Sequence, residues 1–339
     1  MTNSSIVVQV HRGPLIESLH RGHIVVVDQF ARTLASFGDP NTFIFVRSCA
    51  KPLQAISVIE SGAISTFKFG AELVSLMCSS HNGEFSHVVA AATMLQKLGL
   101  SKNSLSCPAQ QPLYRPEADR LSALGIPVTQ LHHNCSGKHA GMLALALQLG
   151  ATTECYTSSE HPVQRAMVDT VLEMTGMHSN ELVLGIDGCG VPVFGMPLAQ
   201  LAYAFATLGK PERLSSSLSD ACNQVIAAIR QHPHYLAGTD RFDTTLIRVT
   251  NGRIIGKMGA EGVFAITVPD YGLGIAIKIE DGSERALYPA VTETLAQIGL
   301  LSEDELLQLD SFRKPPIVSG QGEIVGRMEA VCKLRFTNT

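Results

Sequence analysis

The sequence predicts an α/β fold of the α+β kind: one antiparallel sheet built from both ends of the chain, with a helical subdomain between. Three observations carry this. β-branched runs lie near the N-terminus and again after residue 240. From about 50 to 230 apolar residues recur at three- and four-residue spacing, the helical period. No Gly-x-Gly-x-x-Gly and no phosphate loop occurs, so neither nucleotide-binding fold is supported.

The elements follow in order. Residues 6–10 and 23–28 are β-branched runs separated by a glycine-containing turn, and 42–46 is a third. A helix is expected over 52–59. Further helices are expected over 90–98, 139–149, 163–174, 198–206 and 214–230, with Pro- and Gly-bearing links such as 107–112. The period then returns to strands. Residues 244–249 and 253–257 read as a hairpin around Asn251-Gly252, a favoured two-residue turn. Strands over 262–268 and 272–279 and a helix over 285–297 complete the pattern. The whole chain, 1–339, reads as one domain whose sheet comes from about 5–47 and 243–280.

Of 339 residues, 45% are hydrophobic and 17% charged, the latter below the average of about 25%. A large buried core follows. A net charge of −4 gives no electrostatic case for nucleic acid. No apolar stretch approaches the roughly 20 residues of a membrane span. The start, Met1-Thr2-Asn3-Ser4-Ser5, lacks the basic and apolar regions of a leader, so the expectation is a cytoplasmic protein with no membrane partner. Eight cysteines in a chain this long are then free thiols or metal ligands.

Arg47-Ser48-Cys49-Ala50-Lys51 carries the chemistry. Ser48 and Lys51 are spaced to share one helix face. A lysine whose pKa is lowered by burial can activate a serine, and such pairs run hydrolysis without a histidine triad. The same pattern also describes a helix start with a surface lysine. The layout is shared with serine β-lactamases, penicillin-binding proteins and bacterial glutaminases, a fold-level analogy. Four more stretches concentrate reactive and special-geometry residues. They are Cys78-Ser79-Ser80-His81-Asn82-Gly83-Glu84, His132-His133-Asn134-Cys135-Ser136-Gly137-Lys138-His139-Ala140-Gly141, Gly185-Ile186-Asp187-Gly188-Cys189-Gly190-Val191-Pro192 and Lys257-Met258-Gly259-Ala260-Glu261-Gly262.

These five ordered stretches, with Glu280-Asp281-Gly282-Ser283-x-Arg285-Ala286, resemble the bacterial L-asparaginase II family of the Rhizobium etli type, from Val7 to about Ala286. The resemblance implies a serine β-lactamase-like fold, Ser48 as nucleophile with Lys51 as its base, and a second pair, Ser80 with Lys257. It implies zinc on Cys135, Lys138 and Cys189, tuning substrate affinity rather than driving chemistry, with Asp187 polarising a bound water. It implies L-asparagine as substrate, cleaved to L-aspartate and ammonia through an acyl-Ser48 intermediate, and a homodimer. Candidate substrate contacts are Arg47, His81, Asn82, His139, Asp187 and Glu261.

Read from the residues alone, other roles stay open. Ser80 suits a helix N-cap supported by Glu84, Lys257 a solvated strand lysine, and the cysteines small buried hydrophobes. A glutaminase or β-lactam hydrolase of the same chemistry, and a non-catalytic zinc- or ligand-binding relative, are the alternative functions.

Overall fold

The computed structural model describes residues 5–337; Met1 to Ser4, on which most of the leader expectation rests, lie outside them. The chain forms two compact units. One takes the residues up to Cys49, Gly195–Lys210 and the chain from Thr245 on; the other takes Ala50–Phe194 and Pro211–Thr244. Among the described residues no helix is long and apolar enough to cross a membrane.

The strands are β1 Ser5–Arg12, β2 Leu15–Asp28, β3 Thr33–Phe37, β4 Phe43–Phe45, β5 Val183–Ile186, β6 Pro192–Pro197, β7 Ile255–Gly259, β8 Val263–Val268, β9 Leu273–Ile279, β10 Pro316–Val318, β11 Ile324–Ala330 and β12 Arg335–Phe336. In the first unit the sheet runs β10-β11-β1-β2-β9-β8-β7, with β3 beside β2 and β12 beside β3. The pairings are antiparallel, as expected.

All six residues of β8 are buried. Successive strand side chains point to opposite faces, so both faces of β8 are covered. Helix Leu198–Gly209 packs on β2, β8 and β9, and helix Glu284–Gln297 on β1, β8, β9 and β11. Gly274 in β9 permits the first of these contacts, because a methyl group there would run into the Ala202 carbonyl.

Three expectations change. Residues 244–249 are not a strand: Phe242–Val249 is a helix. Its buried Phe242 and Leu246 lie four apart and buried Thr250 follows at the same interval just past its end, a period masked by the β-branched Thr and Ile content. Asn251-Gly252 is accordingly that helix's ending rather than a hairpin turn. Both residues are left-handed, and Gly252 N–H returns to the Ile247 carbonyl at 2.8 Å. The third N-terminal run leaves the main sheet. Only Phe43–Phe45 is extended, and it pairs with Gly195, Met196 and Pro197. Finally, strands after residue 280, β10 to β12, widen the sheet at its β1 and β3 edges. Mixed sequences such as Ile324–Ala330, with half-buried side chains, give no clean alternation to read.

The second unit is mainly helical, as expected over 50–230. Its centre is helix Lys51–Glu60, buried at every residue but Glu60, against helices Ser136–Gln148, Pro162–Thr175 and Ser216–Gln231. Helix Ser136–Gln148 also packs on Ala71–Met77, where Gly137 lets the backbones approach: a side chain there would meet the Leu76 carbonyl.

Gly274→Ala is expected to lower stability by about 1–3 kcal/mol through overpacking against Ala202. A urea midpoint equal to that of the wild type would show that the helix can draw back from the sheet.

Candidate active site

Ser48 lies at a strand-to-helix junction. β4 ends at Phe45, a 3-10 turn covers Arg47–Ala50, and the α-helix begins at Lys51. Pro52 in the first turn suits that start, since its missing N–H has no partner to lose there. Arg47 has φ +49, a left-handed conformation that a non-glycine residue adopts at a cost and that recurs at functional junctions. Ser48 itself is half-buried.

Lys51 is 1% exposed. Its Nζ donates to the Ser79 carbonyl at 2.5 Å, the Ser80 hydroxyl at 2.9 Å and the Asn134 carbonyl at 3.4 Å. The three N–H donors of an ammonium are matched by these three acceptors. A surface lysine is therefore not what the Ser-x-x-Lys pattern denotes here.

Ser80 is not a cap either. The helix Phe85–Lys97 starts later, with Glu84 at its N-cap position. The segment carrying Ser80 is instead clamped by backbone hydrogen bonds, Ser80 N–H to the Leu236 carbonyl at 3.0 Å and Asn82 N–H to that of Ala237 at 2.8 Å. Lys257, in the first unit, is a buried strand lysine, 1% exposed, with Nζ donating to the Met258 carbonyl at 2.6 Å. The solvated-lysine alternative falls for both lysines.

Cys135, Lys138 and Cys189 come together in the second unit. Each is 4% exposed. Lys138 Nζ lies 3.0 Å from Cys189 Sγ, and Cys189 Sγ lies 3.6 Å from Asp187 Oδ2. A hydrogen bond from Cys189 holds the Cys135 thiol well below the usual thiol range, helped by the charges of Lys51 and Lys138; the Cys189 thiol is pushed up in turn by donating that bond and by burial. Burial alone would lower the Lys138 ammonium, but Cys135, Cys189 and Asp187 outweigh it and raise its pKa. Two sulfurs, an amine and a carboxylate thus meet in one buried site.

These donors fit zinc. Two sulfurs and a nitrogen within hydrogen-bond contact are a set that zinc accepts tetrahedrally. A turn positions the last of them: Gly190 N–H bonds the Asp187 carbonyl at 2.8 Å and Asp187 N–H bonds that of Val191, so Cys189 sits at the tip between β5 and β6.

The histidines divide. His81 spends both ring nitrogens on the protein, Nε2 at 2.8 Å from Ser136 Oγ and Nδ1 accepting from Gly83 N–H at 3.0 Å. Asn82 does likewise, donating to the Thr239 carbonyl and to Glu84 and accepting from Arg241. Both are thus hydrogen-bonded within the framework. His139 keeps a nitrogen open. Its Nδ1 lies 2.7 Å from the Tyr156 hydroxyl, which accepts from Ser106 N–H, while Nε2 is buried with no partner. The tautomer that lets the Tyr156 hydroxyl both accept from Ser106 and donate has it donating to Nδ1, with the ring proton on Nε2. Arg47 and Glu261 face each other loosely at 3.9 Å, with the Glu261 side chain 69% exposed.

Tyr156 helps organise this site and escapes sequence reading. Tyr156 is a lone aromatic in a polar stretch, and only its position in space gives it a partner.

Tyr156→Phe should cost about 1–3 kcal/mol, because the Ser106 N–H and His139 Nδ1 lose their partner in a buried place. Equal stability in chemical denaturation would contradict the assignment. Burial, with the charge of Lys138 adding to it, lowers His139 from 6.5 to about 3. Between those values the unfolded chain binds a proton that the folded chain refuses. Stability should therefore fall as pH drops below 6.5, by up to about 1.4 kcal/mol per pH unit from this group. His139→Gln should flatten that slope, and an unchanged slope would show that other groups set it.

The family model described as L-asparaginase II matches residues 8–330. No curated protein is a significant match to the chain. Among solved structures, a β-lactamase from Mycobacterium bovis is similar at 17% identity and a TM-score of 0.44, over 83% of this chain and 95% of that one. Mglu in its native form is similar at 15% identity and a TM-score of 0.48, over 84% and 67%. A β-lactamase-like protein from Bacteroides dorei follows at 11% identity and a TM-score of 0.42, over 81% and 93%. With the family model matching almost from end to end, the chain belongs to the L-asparaginase II family.

Proposed function

We propose that this protein hydrolyses L-asparagine to L-aspartate and ammonia through an ester on Ser48. Family membership supports an amide substrate. The observation that carries the residue assignment is the buried Lys51 amine, three residues after Ser48 and 2.9 Å from the Ser80 hydroxyl. An amine so placed serves as a base once it has given up its proton.

In this reading Ser48 Oγ attacks the side-chain amide carbon while its proton passes to Lys51. The oxyanion forms near the helix start, where the Ser48 N–H is a suitable donor. Ser80 with Lys257 delivers a proton to the departing nitrogen, the C–N bond breaks, and ammonia leaves. Water then opens the ester, with the same groups moving protons in reverse order. Asp187 suits the substrate's ammonium, and the Nε2–H of His139 suits its carboxylate. Glu261 is a weaker partner for the ammonium because water competes for it.

Cys135, Lys138 and Cys189 would hold zinc, with Asp187 beside them. The ion supplies fixed positive charge that orients neighbouring groups. Lys138 ligates only as a neutral amine, and the Cys189 thiol must ionise. Loading zinc should therefore release protons, and affinity should rise with pH.

Ser48→Ala should cut ammonia release by several orders of magnitude, and Lys51→Met nearly as much. The double variant should be about as slow as either alone, because groups acting as a unit do not add. Multiplying losses would remove Lys51 from the role of base, and a Ser48→Ala enzyme with over a tenth of wild-type kcat would end the nucleophile assignment. Glutamine and a β-lactam tested alongside asparagine separate the sister chemistries; a folded protein active on none of them is a binding protein. Chelation should raise KM more than it lowers kcat. Its reverse, kcat abolished by chelation and retained in Ser48→Ala, would mark a metal-driven hydrolase.

A further inference from the structure

A second cluster of metal-ligating side chains lies outside the thiol–amine set. Glu84, His87 and His234 bring one ligand atom each to within 4.8 Å of one another. All three belong to the second unit. We propose that they form a binding site for a divalent transition-metal ion, and that the ion ties the start of helix Phe85–Lys97 to the turn Pro233–Leu236.

The ring of His87 argues for a ligand. It is fully buried. Its Nε2 lies 3.0 Å from the His234 carbonyl, an oxygen that can only accept, so Nε2 carries the proton. Nδ1 is then a bare lone pair, buried and without a hydrogen-bond partner. Leaving such an acceptor unmatched is costly. An imidazole that donates one N–H to a backbone carbonyl and keeps the other nitrogen open is the form in which histidine binds metals. Burial also lowers the pKa of His87 to about 4, so the ring stays neutral.

The other two groups complete a two-nitrogen, one-carboxylate set, suited to zinc, cobalt or iron with positions left for water. Glu84 is held by Thr239, whose N–H and hydroxyl donate to its two oxygens at 2.7 and 2.8 Å. Its Oε2 lies 3.9 Å from His234 Nε2. The rings of His87 and His234 stack at 4.8 Å, 15° from parallel. Parallel rings aim their lone pairs side by side, so one must turn to share an ion. His234 is the one with room, its side chain being 27% exposed; on turning it exchanges the Ser86 hydroxyl, 3.1 Å away, for the metal.

The cluster's place gives the ion a structural part. The segment that carries Ser80 runs into Glu84 on one side and is bonded to Leu236 and Ala237 on the other. A metal across Glu84, His87 and His234 would fasten both ends of that bracket.

The test uses the full-length protein, stripped of metal and titrated with Co2+. Thiolate-bound cobalt shows a sulfur-to-metal charge-transfer band; cobalt on nitrogen and oxygen shows visible d–d bands without it. One equivalent lacking the charge-transfer band is expected, beside any equivalent on Cys135 and Cys189. Its binding should raise Tm in a way that grows with Co2+ concentration. His234→Gln should lose that equivalent and its Tm shift while keeping any thiolate band. Wild-type protein that binds no sulfur-free equivalent overturns the proposal without any variant. So does an equivalent that survives in His234→Gln. Neither outcome bears on whether Ser48 is a nucleophile.

Discussion

A fully buried ammonium needs its charge answered on every side, and the site is organised around that need at Lys51. Two backbone carbonyls and one hydroxyl surround its Nζ. They come from two different segments, one carrying Ser80 and the other leading into Cys135. Uncompensated, a buried cation costs several kcal/mol, so those segments are held where the acceptors must be. The helix that carries Lys51 is itself buried along almost its whole length among three others. The position of Ser80 is thus a consequence of the position of Lys51.

The same charge propagates to the neighbouring groups. After burial and the nearby His87, it is one of the causes that lower His81, and after the hydrogen bond from Cys189 it helps lower the Cys135 thiol. Lys138 adds a second cation to the second unit, answered by Cys135, Cys189 and Asp187. Histidines 81 and 139 are lowered first by burial, and the neighbouring positive charges add to that. That neutrality leaves His139 a hydrogen-bonding group rather than a variable charge.

The parts that were legible from sequence are those where local pattern and tertiary role agree. The buried strands β8 and β9 and the helices around 163–174 and 214–230 announce themselves by composition and period. The hairpin expected at Asn251-Gly252 failed because the same dipeptide supplies left-handed residues to a helix ending, and β-branched Thr and Ile concealed the four-residue period before it. Of the site, Ser48, Lys51 and the cysteine stretches were visible as motifs. The hydroxyl that Lys51 Nζ holds was not visible: it belongs to Ser80, 29 residues away. His81 and Asn82 look reactive in sequence, yet each is consumed by hydrogen bonds to residues that only folding brings near, Ser136 and Arg241 among them.

The central claim is an ester on Ser48. Protein quenched in acid during turnover of asparagine, digested and weighed by mass spectrometry, tests it most directly. The account predicts that the peptide containing Ser48 gains the mass of asparagine less ammonia, and that the adduct disappears once substrate is spent. An adduct on the peptide containing Ser80 instead, or turnover with no adduct and, when hydroxylamine is added to intercept an acyl group, no hydroxamate product, would contradict it.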